Sequence, residues 1–589
     1  MKRLLALTPY LTRRPLWLVL GLVCLVLTSL LVAYIPRVVG LAVDVFEASR
    51  ETASIDMGRL WRVVGGLMAL ALVAGVFRFG MRKLLIDLSR LAERDFRDDL
   101  FRHLLGLSPS FYDRWMTGDV VTRLSADMDA VRMVLGPGLM YLVQTAITVP
   151  TVLVLMMTID APLTLVSLVP LIFVPLVTWA FANEMYHRSR AMQDQMSTLS
   201  TMVQETLSGQ RVVKSFNQEG AQQTRFEAIN EEYVHRGLRF ASIFSAFFPM
   251  LHAVFALGLL ITVWVGGGRL ISGAIGYGDL TSIFLWIFVL YWPLISLGWV
   301  MSLLQRGSAS MERIQELLAE RPDVADGPAT RPAEEIGPLR GGIEFRGLTF
   351  AYPGAGPPAL CGIDLAVPAG RTLGIVGLTG SGKSTLASTV ARLYPVPDGQ
   401  VLIDGHDINT IPLRHLRSHI GFVSQETFLF SESIEDNIRF GQPEGTRSEV
   451  EMAAELSQLD DQIRSFPDQW ETMLGERGIN LSGGQRQRAA IARATILDPA
   501  ILILDDCLSA VDTDTEERIL RGLRGVMSER TTLIIAHRIS TVMHADEIIV
   551  LEGGRITERG CHAELVALDG LYADLHRRQQ LEAELERVD

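Results

Sequence analysis

The chain has 589 residues, long for a single hydrophobic core, so at least two domains are expected. Hydrophobic residues make up 49% and charged residues 20%, a mixture that fits a membrane portion joined to a soluble one. The formal net charge of −12 argues against a nucleic-acid partner, and Cys24, Cys361, Cys507 and Cys561 lack metal-ligand spacing and read as reduced thiols.

Residues 16–35 carry no charge and are about as long as the roughly 20 residues that cross a bilayer. Lys2, Arg3, Arg13 and Arg14 precede them, as before a signal peptide. The run is long for one, has no small-x-small cleavage site and is followed by further spans, so it reads as an anchor. Apolar runs at 63–77, 135–159, 161–182, 241–268 and 280–304 complete six spans; the run at 63–77 is the shortest and stops at Arg78. Asp160-Ala161-Pro162 marks a reversal between the third and fourth. Positive charge gathers at the N-terminus, at Arg78, Arg82 and Lys83, at Arg188 and Arg190, and at Arg236 and Arg239, which places both termini in the cytoplasm. Two connections on that side, 78–133 and 183–239, carry charges at helical spacing. They read as helices continuing out of the membrane, turned at 108–116 and 209–217; the alternative is a pair of solvated loops.

Residues 321–340 contain Pro322, Pro328, Pro332 and Pro338 and mark a linker between a membrane domain at 1–320 and a soluble domain at 341–589. Beyond it, strand and helix patterns alternate as in an α/β nucleotide-binding domain. Gly377-Leu378-Thr379-Gly380-Ser381-Gly382-Lys383-Ser384 fits the phosphate-loop pattern, with an apolar strand before it and a helix, from Lys383 through Thr385, after it. The glycines bring backbone N–H groups close to phosphates, Lys383 reaches the β- and γ-phosphates, and Ser384 ligates Mg²⁺. Ile501-Leu502-Ile503-Leu504-Asp505 is a buried-strand pattern ending in a carboxylate placed to hold that Mg²⁺.

Leu481-Ser482-Gly483-Gly484-Gln485 fixes the family: the chain resembles the ATP-binding-cassette transporters, in their exporter branch, over nearly its full length. The resemblance implies an α-helical membrane domain of six transmembrane helices with long cytoplasmic extensions, then an α/β P-loop ATP-binding cassette. It implies ATP and Mg²⁺ as cofactors. Tyr352 would stack on adenine, Gln425 would sense Mg²⁺ and the attacking water, and His537 would contact the γ-phosphate. Ser509-Ala510-Val511-Asp512 resembles the loop that crosses between paired cassettes, and residues 472–478 the motif that touches the membrane domain. Phe111-Tyr112-Asp113-Arg114 with Thr117-Gly118-Asp119 resembles the first coupling-helix region, and Gln204-Glu205 with Gly209–Phe216 the second. The nearest sub-pattern is that of bacterial multidrug-resistance-like half-transporters in the inner membrane.

In that family ATP lies between two cassettes, so Ser482, Gly483, Gly484 and Gln485 would face the phosphate loop of a second subunit. Asp506 stands where the family usually has the glutamate that polarises water. The expected consequence is a slow site on this chain's own phosphate loop and a heterodimer whose partner carries the glutamate; a homodimer tolerating aspartate is the alternative. Phe247, Phe248, His252, Phe255, Trp286, Phe288, Tyr291, Trp292 and Trp299 in the last two spans would suit amphipathic substrates if they faced a cavity, while packing between helices or facing lipid is the commoner role for any single one of them. Peptide or lipid export, import on an exporter-like fold, and an ATP-gated or regulatory subunit remain open.

Overall fold

A helix satisfies its own backbone hydrogen bonds, which is why a long apolar run can cross a bilayer in that form. The computed structural model describes residues 2–52, 56–354, 356–475, 478, 481–509, 511 and 513–586. They form two compact units, Met1–Leu105 with Gly118–Glu320, and Gly106–Thr117 with Arg321–Asp589.

The first unit is helical throughout: α1 (Pro15–Thr52), α2 (Met57–Leu105), α3 (Leu139–Ile159), α4 (Ala161–Leu168), α5 (Phe173–Ser208), α6 (Glu219–Ile271) and α7 (Tyr277–Ala319). Five stretches among the described residues are long and apolar enough to cross a membrane, or six if the bent pair Ala161–Leu168 and Pro170–Ser208 is one span. The 40° bend follows from Pro170, which lacks the N–H that would continue α4. The short apolar run at 63–77 belongs to the 49-residue α2. At 1.5 Å per residue α2 is about 74 Å long, against a hydrocarbon core of about 30 Å. The 53-residue α6 is longer still, so both long connections are helical continuations. The expected turns between them are themselves short helices, Pro109–Arg114 and Gln210–Ser215.

Small residues let α1 and α7 cross closely: a Cβ on Gly278 would run into the Gly40 carbonyl, and one on Gly40 into Ser282. Beside that crossing, Asp44 accepts from the Gly278 N–H at 2.8 Å and Arg37 pairs with Asp279 at 2.5 Å. Asp160 caps α4 by accepting from the Leu163 N–H at 2.8 Å, and Arg269 of α6 pairs with it at 2.5 Å. Two of the aromatics of the last two spans pack between helices: Trp286 is fully buried and donates to the Ala33 carbonyl at 2.7 Å, and Phe255 is 5% exposed. Phe288, Trp292 and Trp299 are exposed on the helix surface.

The second unit is built on two sheets. Strands β1 (Ile343–Phe350), β2 (Leu360–Val367), β4 (Val401–Ile403) and β5 (His406–Asp407) form an antiparallel sheet in the order β2-β1-β4-β5. Strands β3 (Thr372–Gly377), β6 (Ile420–Val423), β7 (Ile501–Asp505), β8 (Thr531–Ile535), β9 (Glu547–Glu552) and β10 (Arg555–Gly560) form the other, in the order β10-β9-β3-β8-β7-β6. Its inner strands are parallel and apolar throughout because both faces are covered. Ile375, Ile503, Ile535 and Ile549 join Phe345 and Ile363 of the antiparallel sheet in one core. Their neighbours Val376, Leu502, Leu504, Ile534 and Ile548 point the other way, onto Ile519, Leu523 and Tyr572 of flanking helices.

The structure places Gly106–Thr117, expected within the membrane domain, with the cassette unit. Hydrogen bonds explain why: Ser108 accepts from the Val324 N–H at 2.9 Å, Ser110 bonds to Asp323, and Tyr394 donates to Asp113 at 2.8 Å. Burial, then the Asp113 bond and charge, pushes the Tyr394 hydroxyl well above its ordinary pKa. The proline-rich segment is tied to this unit too, with Arg331 N–H donating to the Thr410 carbonyl at 2.8 Å and Asp326 accepting from the Leu413 N–H at 2.9 Å.

Candidate functional site

Parallel strands deliver loops at their C-terminal ends, and the phosphate-loop residues leave β3 there, opening α8 (Lys383–Val390). Gly377, at φ 150°, has no room for a Cβ, which would meet the Leu551 carbonyl; at Gly382, φ 101°, it would lie 2.8 Å from the Ala359 carbonyl. Lys383 is 6% exposed and its Nζ donates to the Gly377 and Leu378 carbonyls, both at 2.9 Å. Burial pushes this ammonium below the usual lysine pKa, and the charges of Asp506 and Asp505 push it back.

Ser384 donates to Asp505 Oδ1 at 2.9 Å, so the two expected metal ligands meet. Burial raises the Asp505 carboxyl above its ordinary pKa; the Ser384 bond lowers it, Asp506 raises it, and Lys383 and His537 lower it. Next in the chain, Asp506 keeps strand pairing through its N–H to the Ile535 carbonyl at 2.9 Å, yet takes φ 45° as the chain leaves β7. Gln425, just beyond β6, donates to Asp506 Oδ2 at 3.4 Å. Tyr352 and Thr385 hydroxyls lie 3.0 Å apart, which holds the expected adenine-stacking ring beside α8. Gly380 is also left-handed, at φ 80°.

The Leu481–Gln485 stretch opens α9 (Gly483–Thr495) through a capping box: Ser482 accepts from the Gln485 N–H at 3.2 Å, and the Gln485 side chain accepts from the Ser482 N–H at 2.7 Å. With Gly483 and Gly484 in the first turn, backbone N–H groups and the helix dipole make an anion-binding face. Helix α9 also reaches the Asp506 loop, because Gln487 donates to Ser509 at 3.3 Å and Ser509 donates to the Asp506 carbonyl at 2.9 Å. Gln487 was not singled out from sequence; its position one turn into the helix after the glycines is the only local cue. Glu476 and Arg477 of the 472–478 motif, and Ala510 and Asp512 of the crossing loop, lie outside the described residues.

In the first unit, His252 Nδ1 bonds to the Phe248 carbonyl at 2.7 Å, which can only accept, so Nδ1 carries the proton. The other ring nitrogen lies 2.9 Å from the Tyr291 hydroxyl of α7, so His252 is hydrogen-bonded to a neighbouring helix.

Oxygen donors on Ser384 and Asp505, with Gln425 nearby, suit a hard cation such as Mg²⁺. Among the described residues no group of three or more His, Cys, Asp and Glu could hold a metal ion. The Ser381 hydroxyl, buried in the loop, has no hydrogen-bond partner among the described residues.

Residues 18–294 match the ABC transporter transmembrane region family, and residues 360–509 the ABC transporter family. The multidrug resistance-like ATP-binding protein MdlA of Escherichia coli is 36% identical over 95% of this chain and 94% of its own. The ATP-dependent lipid A-core flippase of Salmonella typhimurium is 33% identical over 94% of this chain and 95% of its own. The structure of a bacterial Atm1-family ABC exporter with ATP bound superposes with a TM-score of 0.79 at 27% identity, covering 96% of this chain and 99% of that one. With both halves matched and relatives aligned end to end, the chain belongs to the ABC transporter family, as an exporter with a fused transmembrane domain and ATP-binding cassette.

Proposed function

We propose that this chain is one subunit of a heterodimeric exporter in the inner membrane, with both termini and the cassette in the cytoplasm, moving amphipathic or hydrophobic compounds. In this reading its own phosphate loop forms a slow site, and its intact Ser482–Gln485 stretch completes a competent site on the partner's loop. The multidrug-like and lipid A flippase relatives support the substrate class.

ATP·Mg²⁺ supplies the phosphoanhydride and screens its charge. Lys383 and the loop N–H groups hold the β- and γ-phosphate oxygens, Ser384 and Asp505 hold the ion, and Tyr352 packs on the base. Asp506, assisted by Gln425 and His537, orients the water. The observation that carries the asymmetry is Asp506 itself. Aspartate is one methylene shorter than glutamate, about 1.5 Å at the carboxylate. A misplacement near 1 Å costs about a hundredfold in rate. Its left-handed backbone suits aspartate, which is enriched in that region.

The test is ATPase activity of the purified chain, alone and mixed with half-transporters from the same genome. Near-zero activity alone, rising sharply with one partner, is expected. Robust activity from the chain alone would mean a working homodimer and would overturn the slow-site reading of Asp506.

A further inference from the structure

Strand β8 ends at Ile535, and the chain turns through Ala536, His537 and Arg538 before the short helix α10 (Ile539–Val542). No hydrogen bond holds the exposed His537 ring among the described residues, so its backbone sets where it points. That backbone is gripped from α11 (Leu571–Glu586): Gln579 Nε2 donates to the His537 carbonyl at 2.7 Å, and Gln579 Oε1 accepts from the Ile539 N–H at 2.8 Å. One amide thus brackets the turn on both sides, and only one orientation of that amide satisfies both partners. Between them, Arg538 is tied elsewhere, donating to Glu516 at 2.6 Å; Glu516 also accepts from Thr541. Helix α11 is itself fixed, since Tyr572 is fully buried and bonded to His562 at 2.7 Å, and Glu558 accepts from the Leu571 N–H at 2.5 Å.

We infer that Gln579 is a positioning residue for hydrolysis, holding the His537 turn in register with the phosphate site. The inference rests on the reading of His537 given above. Removing the amide frees a carbonyl and an N–H on either side of Arg538 and lets the turn shift. A displacement of about 1 Å in a catalytic group is enough to cost orders of magnitude in rate.

The test uses the full-length chain in lipid nanodiscs, paired with the half-transporter that activates it and with that partner's own phosphate-loop lysine changed to alanine, or with a second copy if the chain is active alone. Single-turnover hydrolysis of radiolabelled ATP then reads even this chain's slow site. Gln579→Ala is expected to slow the step about tenfold while ATP affinity changes less than about twofold. The Ile539 amide should exchange its hydrogen about tenfold faster, with the β3 and β7 amides unchanged. In a His537→Ala background, Gln579→Ala should cost nothing more, because the two act as one unit. Should β3 and β7 lose protection in the alanine variant, the near-isosteric Gln579→Glu decides; it keeps the acceptor for Ile539, sets an oxygen against the His537 carbonyl, and should also be slow. An unchanged rate in Gln579→Ala or Gln579→Glu while His537→Ala is slow would overturn the inference, as would additive losses in the double variant. His537→Ala turning over normally would instead remove the reading of His537 on which it stands.

Discussion

Asp505 shows what a buried site costs at the scale of one residue. Its carboxyl is 4% exposed and its pKa is raised chiefly by burial, so the folded chain holds its proton more tightly than the unfolded one. The sign follows: the residue costs nothing below the ordinary carboxylate range and destabilises as pH rises through it. Asp505→Asn, which keeps an oxygen for Ser384, should raise the melting midpoint at pH 7 by about 2 °C without nucleotide, and the gain should vanish toward pH 3. The same substitution should weaken Mg²⁺-dependent ATP binding. A midpoint unchanged at pH 7 would show that the cost of burying the carboxylate is offset by its neighbours. The identities of Lys383, Ser384 and Asp505 were legible because phosphate chemistry demands those types at that spacing. The meeting of Tyr352 with Thr385, the left-handed turn at Asp506 and the link from Gln487 were not, because each depends on strands brought together from far apart in the chain.

Among elements, helix packing turns on single missing methyl groups. Gly278→Val should lower the melting midpoint of the purified chain by at least about 5 °C, since the new Cβ would collide with the Gly40 backbone. Gly267→Ala, in α6 with nothing within 4 Å of the added Cβ, should leave it near the parent value. Equal effects would mean that the α1–α7 crossing is not tight. Apolar runs located the spans, yet the run at 63–77 marked only a fraction of α2. Hydropathy measures contact with lipid, and most of that helix is amphipathic or polar. Likewise 161–182 reads as one run, and only the chemistry of Pro170 reveals the bend.

At the scale of the whole transporter, the proposed asymmetry predicts an order of effects in the assembled pair. Ser482→Arg in this chain should cut ATP turnover at least about a hundredfold, by spoiling the face offered to the partner's loop. Lys383→Ala in this chain should cut it less than about tenfold, since the loop it disables is the slow one. The reverse order would sink the asymmetric reading. Family membership was legible at this scale from a handful of short motifs; the partner was inferred from one carboxylate, Asp506.

The chain passes between its two units three times, at residues 105–106, 117–118 and 320–321. A cassette is therefore not a bead on a string. Recombination between relatives by one crossover in the proline-rich segment would graft a foreign cassette onto the native 106–117 stretch. Tyr394 would then meet an unfamiliar residue in place of Asp113, and Asp323 one in place of Ser110. Hybrids that carry the stretch along with the cassette should survive where single-crossover hybrids fail, so the heritable module is discontinuous in sequence.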